Sequence, residues 1–362
     1  MYKIHINPHW EISLSGETPL DTAVLLKLLV SIQKNGAIAK AARDVGLSYR
    51  YAWGLLRDGE KLFGEALMQT GRGRGTRLTP LAEKLVWADH RIKARLSPLL
   101  ESIASELEGE LSKMAAEKLS MIRMSASHGF AVAALLLQMI EAHLPIELSY
   151  RNSTDAVSAL ARRECDLAGF HVPLGQYQAP AFAMYSRWLD NDTHCLIQLA
   201  IRTQGLFVAP GNPHNIFSLK DLAKPGVRFV NRQAGSGTRK LLELMLQDED
   251  ISSHNISGFD SAEFTHSAVA AYIASGMADV GFGVETAARR FNLEFIPMVR
   301  ERYFFALPIS SLNEPLIQSV LAIIRTANFH ATINNLAGYE ASGTGEILSL
   351  DDAFRSPDIK AV

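Results

Sequence analysis

From residue 21 to 34 the chain reads DTAVLLKLLVSIQK, and Leu25, Leu28, Leu29 and Ile32 recur at three- and four-residue intervals. This spacing predicts an amphipathic helix, which Asp21 is suited to cap and Gly36 ends. Residues 38–45 predict a second, shorter helix, stopped by Gly46. A third starts at Ser48 and runs through YRYAWGLLRDGEKLF to Gly64. GRGRGTRLTP then reads as a loop that returns through Leu78. Thr79 is suited to cap a long charged helix over 80–118, in which Gly109 is a weak point.

Beyond residue 118 the period changes. LSMIRMSASHG predicts a strand, FAVAALLLQMIEAH a helix, IELSYRN a strand, TDAVSALARREC a helix and DLAGFHV a strand. QGLFVAP, GVRFVN, a helix over 237–247 and SAVAAYIASGMADVGFGV continue the alternation. Strands alternating with helices imply parallel sheet and βαβ crossovers. The expected fold class is therefore α/β overall. An N-terminal all-α winged helix-turn-helix fills 1–79, a linker and dimerisation helix 80–118, and an α/β domain 119–362.

Composition narrows the function classes. The 362 residues are 48% hydrophobic and 20% charged, as in a globular chain with sizeable cores. MYKIHINPHWEISL has no basic stretch leading into a long apolar run, so no secretory signal is expected. The apolar stretches near Leu25 and Leu135 are too short or interrupted to cross a bilayer. A cytoplasmic location without a membrane partner follows. Cys165 and Cys195 show no C-x-x-C spacing and read as reduced, buried thiols. The net charge of −2 is uneven, because residues 40–95 hold twelve Lys and Arg against six Asp and Glu. A basic segment on an otherwise acidic chain suits a nucleic-acid-facing module.

Residues 36–57, GAIAKAARDVGLSYRYAWGLLR, have what a helix-turn-helix requires. Ala41 and Ala42 allow close helix packing, Gly46 suits a left-handed turn, and Leu47 fills the angle between the helices. Ser48 supplies the cap of the next helix. That helix would present Tyr49, Arg50, Tyr51 and Arg57 to a major groove, with Trp53 and Leu56 inward. Arg72, Arg74 and Arg77, on a glycine-rich loop, would neutralise phosphates or enter the minor groove. Taken singly, each part also fits plain helical packing or a solvated turn; the shared order and charge favour DNA.

GAIAKAARDVGLSYRYAWGLL followed by GRGRGTRLTPLAEKL resembles the N-terminal winged helix of ModE-type molybdate-responsive regulators and, more distantly, of LysR-type regulators. The resemblance covers about residues 20–118, and Leu47, Ser48, Tyr49, Ala52 and Trp53 carry the ModE side. It implies a homodimer, or a tetramer, built on the long helix over 80–117. One departure stands out: ModE proteins carry small β-barrel molybdate domains, and nothing in 120–362 reads that way.

The second half has its own anion-binding chemistry. Asn231-Arg232-Gln233-Ala234-Gly235-Ser236-Gly237-Thr238-Arg239 lies between a strand and a helix, where backbone N–H groups, hydroxyls and the helix dipole favour an anion. The phosphate-loop lysine and a complete G-x-G-x-x-G are absent, so nucleotide hydrolysis and dinucleotide binding lack support. Ser127 and His128 follow the first strand, and Asn152 and Ser153 the second. His171 ends the third. Such junctions converge outside the carboxyl ends of open sheets. Ser127, Asn152, Ser153, Ser236 and Thr238 would donate hydrogen bonds, with the Gly235 and Gly237 backbone, His128 and His171 beside them. Arg232 or Arg239 would supply the counter-charge. The plainer alternative is a glycine-rich helix cap with structural histidines.

SHG (127–129), CDLAGFHVP (165–173), QGLFVAPGNP (204–213), DLAKPGVRFVNRQAGSGTR (221–239) and AVAAYIASGMADVGFGVE (268–285) resemble the periplasmic-binding-protein-like domain found in bacterial regulators and some molybdenum-cofactor proteins. This implies a two-lobed domain with two crossover strands closing on a small ligand. The expected function is a non-enzymatic, one-component regulator that binds a double-stranded DNA operator and holds no metal or cofactor. Its sensor would take a small anion: molybdate or tungstate, with formate or another small carboxylate as the alternative. An enzyme or binding protein of molybdenum-cofactor metabolism is the reading from another class; no nucleophile with an adjacent base supports catalysis.

Overall fold

A computed structural model of the protein describes residues 4–14, 19–71, 75–114 and 121–354. Leu25, Leu28, Leu29 and Ile32 are all essentially inaccessible, as helical spacing requires. They join Ala41, Ala42, Ala52, Leu56 and Leu67 in one core. The elements around it are β1 (Glu11–Ile12), β2 (Leu20–Asp21), α1 (Thr22–Asn35), α2 (Ile38–Asp44), α3 (Tyr49–Phe63), β3 (Met68–Gly71), β4 (Gly75–Leu78) and the start of α4 (Pro80–Met114). The expectation of an all-α unit needs correction. β1 pairs with β2, and β3 with β4, as antiparallel ribbons. Asp21, expected to cap the first helix, lies in β2, and α1 begins at Thr22. Gly109 does not interrupt α4.

By contacts the chain forms two units, Asn7–Ser97 and Pro98–Val362 with the residues through Ile6. The division falls inside α4 at Ser97/Pro98, whereas the sequence suggested cuts at 79/80 and 118/119.

The larger unit continues with β5 (Ile122–Ala126), α5 (Phe130–Glu141), β6 (Ile146–Tyr150), α6 (Ser153–Ala161), β7 (Leu167–Pro173), α7 (Gln178–Ala183) and β8 (His194–Val208). Next come β9 (Phe229–Arg232), α8 (Gly237–Asp248), β10 (Ala262–Glu263), α9 (His266–Ala274), β11 (Val280–Val284), α10 (Glu285–Arg290) and β12 (Glu294–Pro308). The chain closes with α11 (Pro315–Ile324), α12 (Ala327–Asn334), β13 (Tyr339–Glu340), β14 (Ile347–Leu348) and α13 (Leu350–Phe354).

Its sheet runs β10-β9-β11-β8-β12-β7-β5-β6, with β13 and β14 against β8. β5, β6 and β7 pair in parallel, as do β9, β10 and β11. The two parallel groups are the lobes. Each has cores on both faces, the first around Leu135, Ile197, Phe170 and Phe304, the second around Leu206, Phe229, Phe207 and Val269. Burial on two faces explains the near-continuous apolar strands.

β8 and β12 are 15 residues each and pair with each other antiparallel along their length, joining both lobes. They are the two crossover strands. The sequence reading caught only the far end of β8 and missed β12, because Gln198, Arg202, Gln204, Glu301 and Arg302 interrupt their apolar runs. All five are buried.

Candidate functional site

In the N-terminal unit, Gly46 takes the left-handed conformation (φ +73°), and its turn is closed by Leu47 N–H donating to Ala42 O at 2.8 Å. Ser48 Oγ then accepts from Tyr51 N–H at 3.2 Å, capping α3. With Ala52, Leu55 and Leu56 buried, the opposite side of α3 exposes Tyr49, Arg50, Tyr51 and Arg57. Gly54 lies between the two arginines on that exposed side, with nothing within 4 Å of where its Cβ would be. The result is a flat exposed spot flanked by two guanidinium groups. Trp53 is half-buried and meets Tyr49 edge-on, ring centroids 6.3 Å apart. Arg77 is exposed on β4, and Thr76 N–H ties that strand to Gly36 O at 2.8 Å. Arg72 and Arg74 lie outside the described residues.

In the larger unit the strand-to-helix junctions do converge. A methyl at Gly237, opening α8, would sit 3.4 Å from Ser153 Oγ and 3.8 Å from His171 Nδ1. One at Gly235 would sit 3.2 Å from Asn152 Nδ2. The first turns of α6 and α8, from different lobes, therefore face each other across His171. Ser153 Oγ is 3.2 Å from His171 Nδ1, and both residues are buried. The His171 ring stands edge-on against Tyr303, centroids 4.5 Å apart. Tyr303 crosses β7 where Gly169 leaves room: a Cβ there would overlap the phenol oxygen. The phenol also lies beside Ser127.

Charge in this buried cluster is arranged unequally. Arg202 of β8 pairs with Glu301, directly opposite it on β12, and both are buried. Burial works against the Arg202 charge, but Glu301 and the Tyr339 phenol more than offset it. Arg232, ending β9, is equally buried. Burial and the nearby Arg202 push it down to about 9, and Glu301 offsets this only in part. Its Nε and Nη1 have no hydrogen-bond partner among the described residues. Orphaned donors of this kind are rare in folded proteins and costly.

Three imidazoles surround the guanidiniums. Burial, then the Arg232 and Arg290 charges, lowers His128 to about 4. His171 and His266 are held well below the usual imidazole value by burial first and the two arginines second. All three are therefore neutral at neutral pH. His171 Nε2, His266 Nδ1 and both amide atoms of Gln204 also lack partners among the described residues. Gln204 is two residues from Arg202 along β8 and shares its face.

Some expected ligand residues are engaged elsewhere. Asn152 spends its side chain capping α6, accepting from Asp155 N–H at 2.9 Å and donating to Asp155 Oδ2 at 2.7 Å. Ser236 accepts from Arg239 N–H at 3.2 Å but keeps its own proton to donate. Thr238 is buried in the first turn of α8. Arg239 turns to Glu243 at 3.1 Å and Asp260 at 3.7 Å. Of the two candidate arginines, Arg232 is the one in the cluster. Arg202, Gln204, His266, Glu301, Tyr303 and Tyr339 escaped the sequence reading. The usable signal was the polar and charged residues inside otherwise apolar, strand-like runs, IQLAIRTQGLFV and MVRERYFFALP.

Two lobes joined by paired crossover strands, with polar junctions facing inward, describe a binding-protein architecture. A family model described as a PBP superfamily domain matches residues 136–325. The chain belongs to this superfamily. YvgK of Bacillus subtilis is 33% identical over 202 residues, covering 55% of this chain and 64% of YvgK. The chain thus spans less than two thirds of that relative. The molybdenum-pterin-binding protein MopB of Rhodobacter capsulatus is 37% identical over 84 residues, which is 22% of this chain and 31% of MopB. Among solved structures, an OxyR variant from Corynebacterium glutamicum aligns with a TM-score of 0.44 at 13% identity, covering 93% of this chain and 97% of that one. No helix among the described residues is long and apolar enough to cross a membrane.

Proposed function

We infer that the protein is a one-component transcription regulator. Its helix-turn-helix binds duplex DNA, and its PBP domain senses a small anion. The observation that carries the sensor half is Arg232, a buried guanidinium with two unpartnered nitrogens among the described residues, set among neutral imidazoles. A bound anion would supply the missing acceptors and compensating charge. Molybdate and tungstate come first, supported by the sequence likeness to ModE-type regulators and to MopB. Formate or another small carboxylate is the alternative, since the same donors can serve its two oxygens.

The DNA half is supported by the exposed Tyr49, Arg50, Tyr51 and Arg57 on a capped helix, with Arg72, Arg74 and Arg77 in the segment after it. Assembly as a homodimer is supported by α4. Leu99, Ile103, Leu107 and Leu111 recur every fourth residue and are exposed in the single chain. An apolar stripe on a long helix is the usual face for a second copy.

Two measurements test the reading. A thermal-shift panel of molybdate, tungstate, sulfate, phosphate and formate should raise the melting temperature of the wild type with at least one anion. No shift across the panel would end the sensor assignment. Replacing Tyr49 and Arg50 together by Ala should abolish sequence-specific footprints on promoter DNA while leaving the anion shift intact. Footprints that survive would show that α3 does not read the duplex.

A further inference from the structure

His128 has a second neighbour that the cleft does not explain. Glu101, on α4, places Oε2 at 4.0 Å from His128 Nε2. The same carboxylate hydrogen-bonds the Tyr150 phenol, and Tyr150 lies against the His128 ring with centroids 5.1 Å apart. These contacts sit where α4 is tied to the sheet. Ser102 Oγ accepts from Tyr150 N–H at 2.7 Å, and Ser105 Oγ accepts from Leu148 N–H at 2.8 Å. Both amides belong to β6, the edge strand. One turn of α4 thus carries two hydroxyls docked on the sheet edge and one carboxylate directed at a cleft residue.

We propose that Glu101 is the residue through which α4 reads the occupancy of the inter-lobe cluster: an anion seated at Arg232 converts the His128–Glu101 contact into an ion pair, which fastens α4 to the β5–α5 junction. This rests on the anion-site reading. The charged and titratable groups facing His128 are Arg232 from β9, Arg290 from α10, His266 from α9, Glu101 from α4 and the Tyr150 phenol from β6. In the free protein burial, and after it Arg232 and Arg290, keep the imidazole neutral, and Glu101 is held by Tyr150. An anion cancels the Arg232 field but leaves burial and Arg290 acting on the ring, so the imidazole takes a proton from solvent only as it closes on the Glu101 carboxylate, whose charge then stabilises it. Closing the 4.0 Å gap to charged hydrogen-bond length, about 2.8 Å, needs a movement of roughly 1 Å. Because the bound state holds the extra proton, anion affinity must fall as pH rises, by at most about tenfold per pH unit for one proton.

The test uses the full chain with sodium molybdate and, in parallel, sodium formate, comparing wild type, Glu101→Gln, Glu101→Asp and His128→Gln. Melting temperatures report binding; amide hydrogen exchange over residues 98–111 reports the seat of α4. In the wild type the effective anion should slow exchange there by about tenfold and bind more weakly at about pH 8 than at about pH 6. Glu101→Gln should keep the melting shift and lose both the slowed exchange and most of the pH dependence, while Glu101→Asp restores part of each. His128→Gln should remove the pH dependence. Slowed exchange and an unchanged pH profile in Glu101→Gln would overturn the relay while leaving the anion site standing. No melting shift in the wild type with either salt would overturn both for these probes.

Discussion

A guanidinium buried beside another guanidinium destabilises a fold unless a ligand answers it. Arg232→Met should therefore make the anion-free protein more stable, by about 1–3 kcal/mol, while removing its anion-induced melting shift. Calorimetry with and without molybdate checks both halves; a less stable variant would mean that Arg232 is structural. The imidazoles give a second consequence. His171 and His266 have folded values well below the ordinary one, and His128 titrates at about 4. Below about pH 6.5 the unfolded chain binds protons that the folded chain refuses, so stability must fall as pH drops. Each imidazole adds a slope of up to about 1.4 kcal/mol per pH unit until its folded value is reached. Melts between about pH 7.5 and pH 5 should show this, and His266→Phe should flatten the slope by about one imidazole's share. Ser153, Arg232 and Ser236 were legible in sequence because they stand at strand-to-helix junctions, whereas His171, read as ending its strand, lies two residues inside β7 opposite Tyr303. Arg202 and Glu301 were not, because mid-strand position alone does not say where a cleft will cut across a sheet.

At the scale of elements, α3 shows how local chemistry fixes which side chains a helix exposes. The Ser48 cap and the left-handed Gly46 set the first residue of α3, and with it the side that Tyr49, Arg50 and Arg57 occupy. Ser48→Ala should cost about 1 kcal/mol of stability in the N-terminal unit, read as a lowered denaturant midpoint with unchanged slope. A neutral result would mean the turn is held by its backbone bonds alone. The helices of this unit were legible because period and punctuation agree, from Leu25–Ile32 to Gly36, Gly46 and Gly64. The wing was read only as a loop, since Met68–Leu78 alternates poorly and is dominated by Gly, Arg and Thr. β8 and β12 were hidden because their apolar runs are broken by polar residues that are nonetheless buried.

At the scale of the molecule, the Leu99–Leu111 stripe makes assembly testable. Replacing Leu99 and Leu107 by Glu should give a species with the 39.8 kDa mass of one chain in light scattering, with the anion-induced melting shift preserved. A dimer that persists would move the seam off α4. The two-lobed architecture was legible from strand–helix alternation together with family likeness. The division at Ser97/Pro98 was not, because α4 continues unbroken across it.

The hydroxyls of Ser102 and Ser105 also determine where an independent sensor fragment must begin. A fragment cut at residue 119 keeps every strand yet leaves the Leu148 and Tyr150 amides bare along a flank able to recruit another molecule's strand. Such a fragment should precipitate or form mixed oligomers on purification, whereas one beginning before Pro98 brings its own cover and stays dispersed.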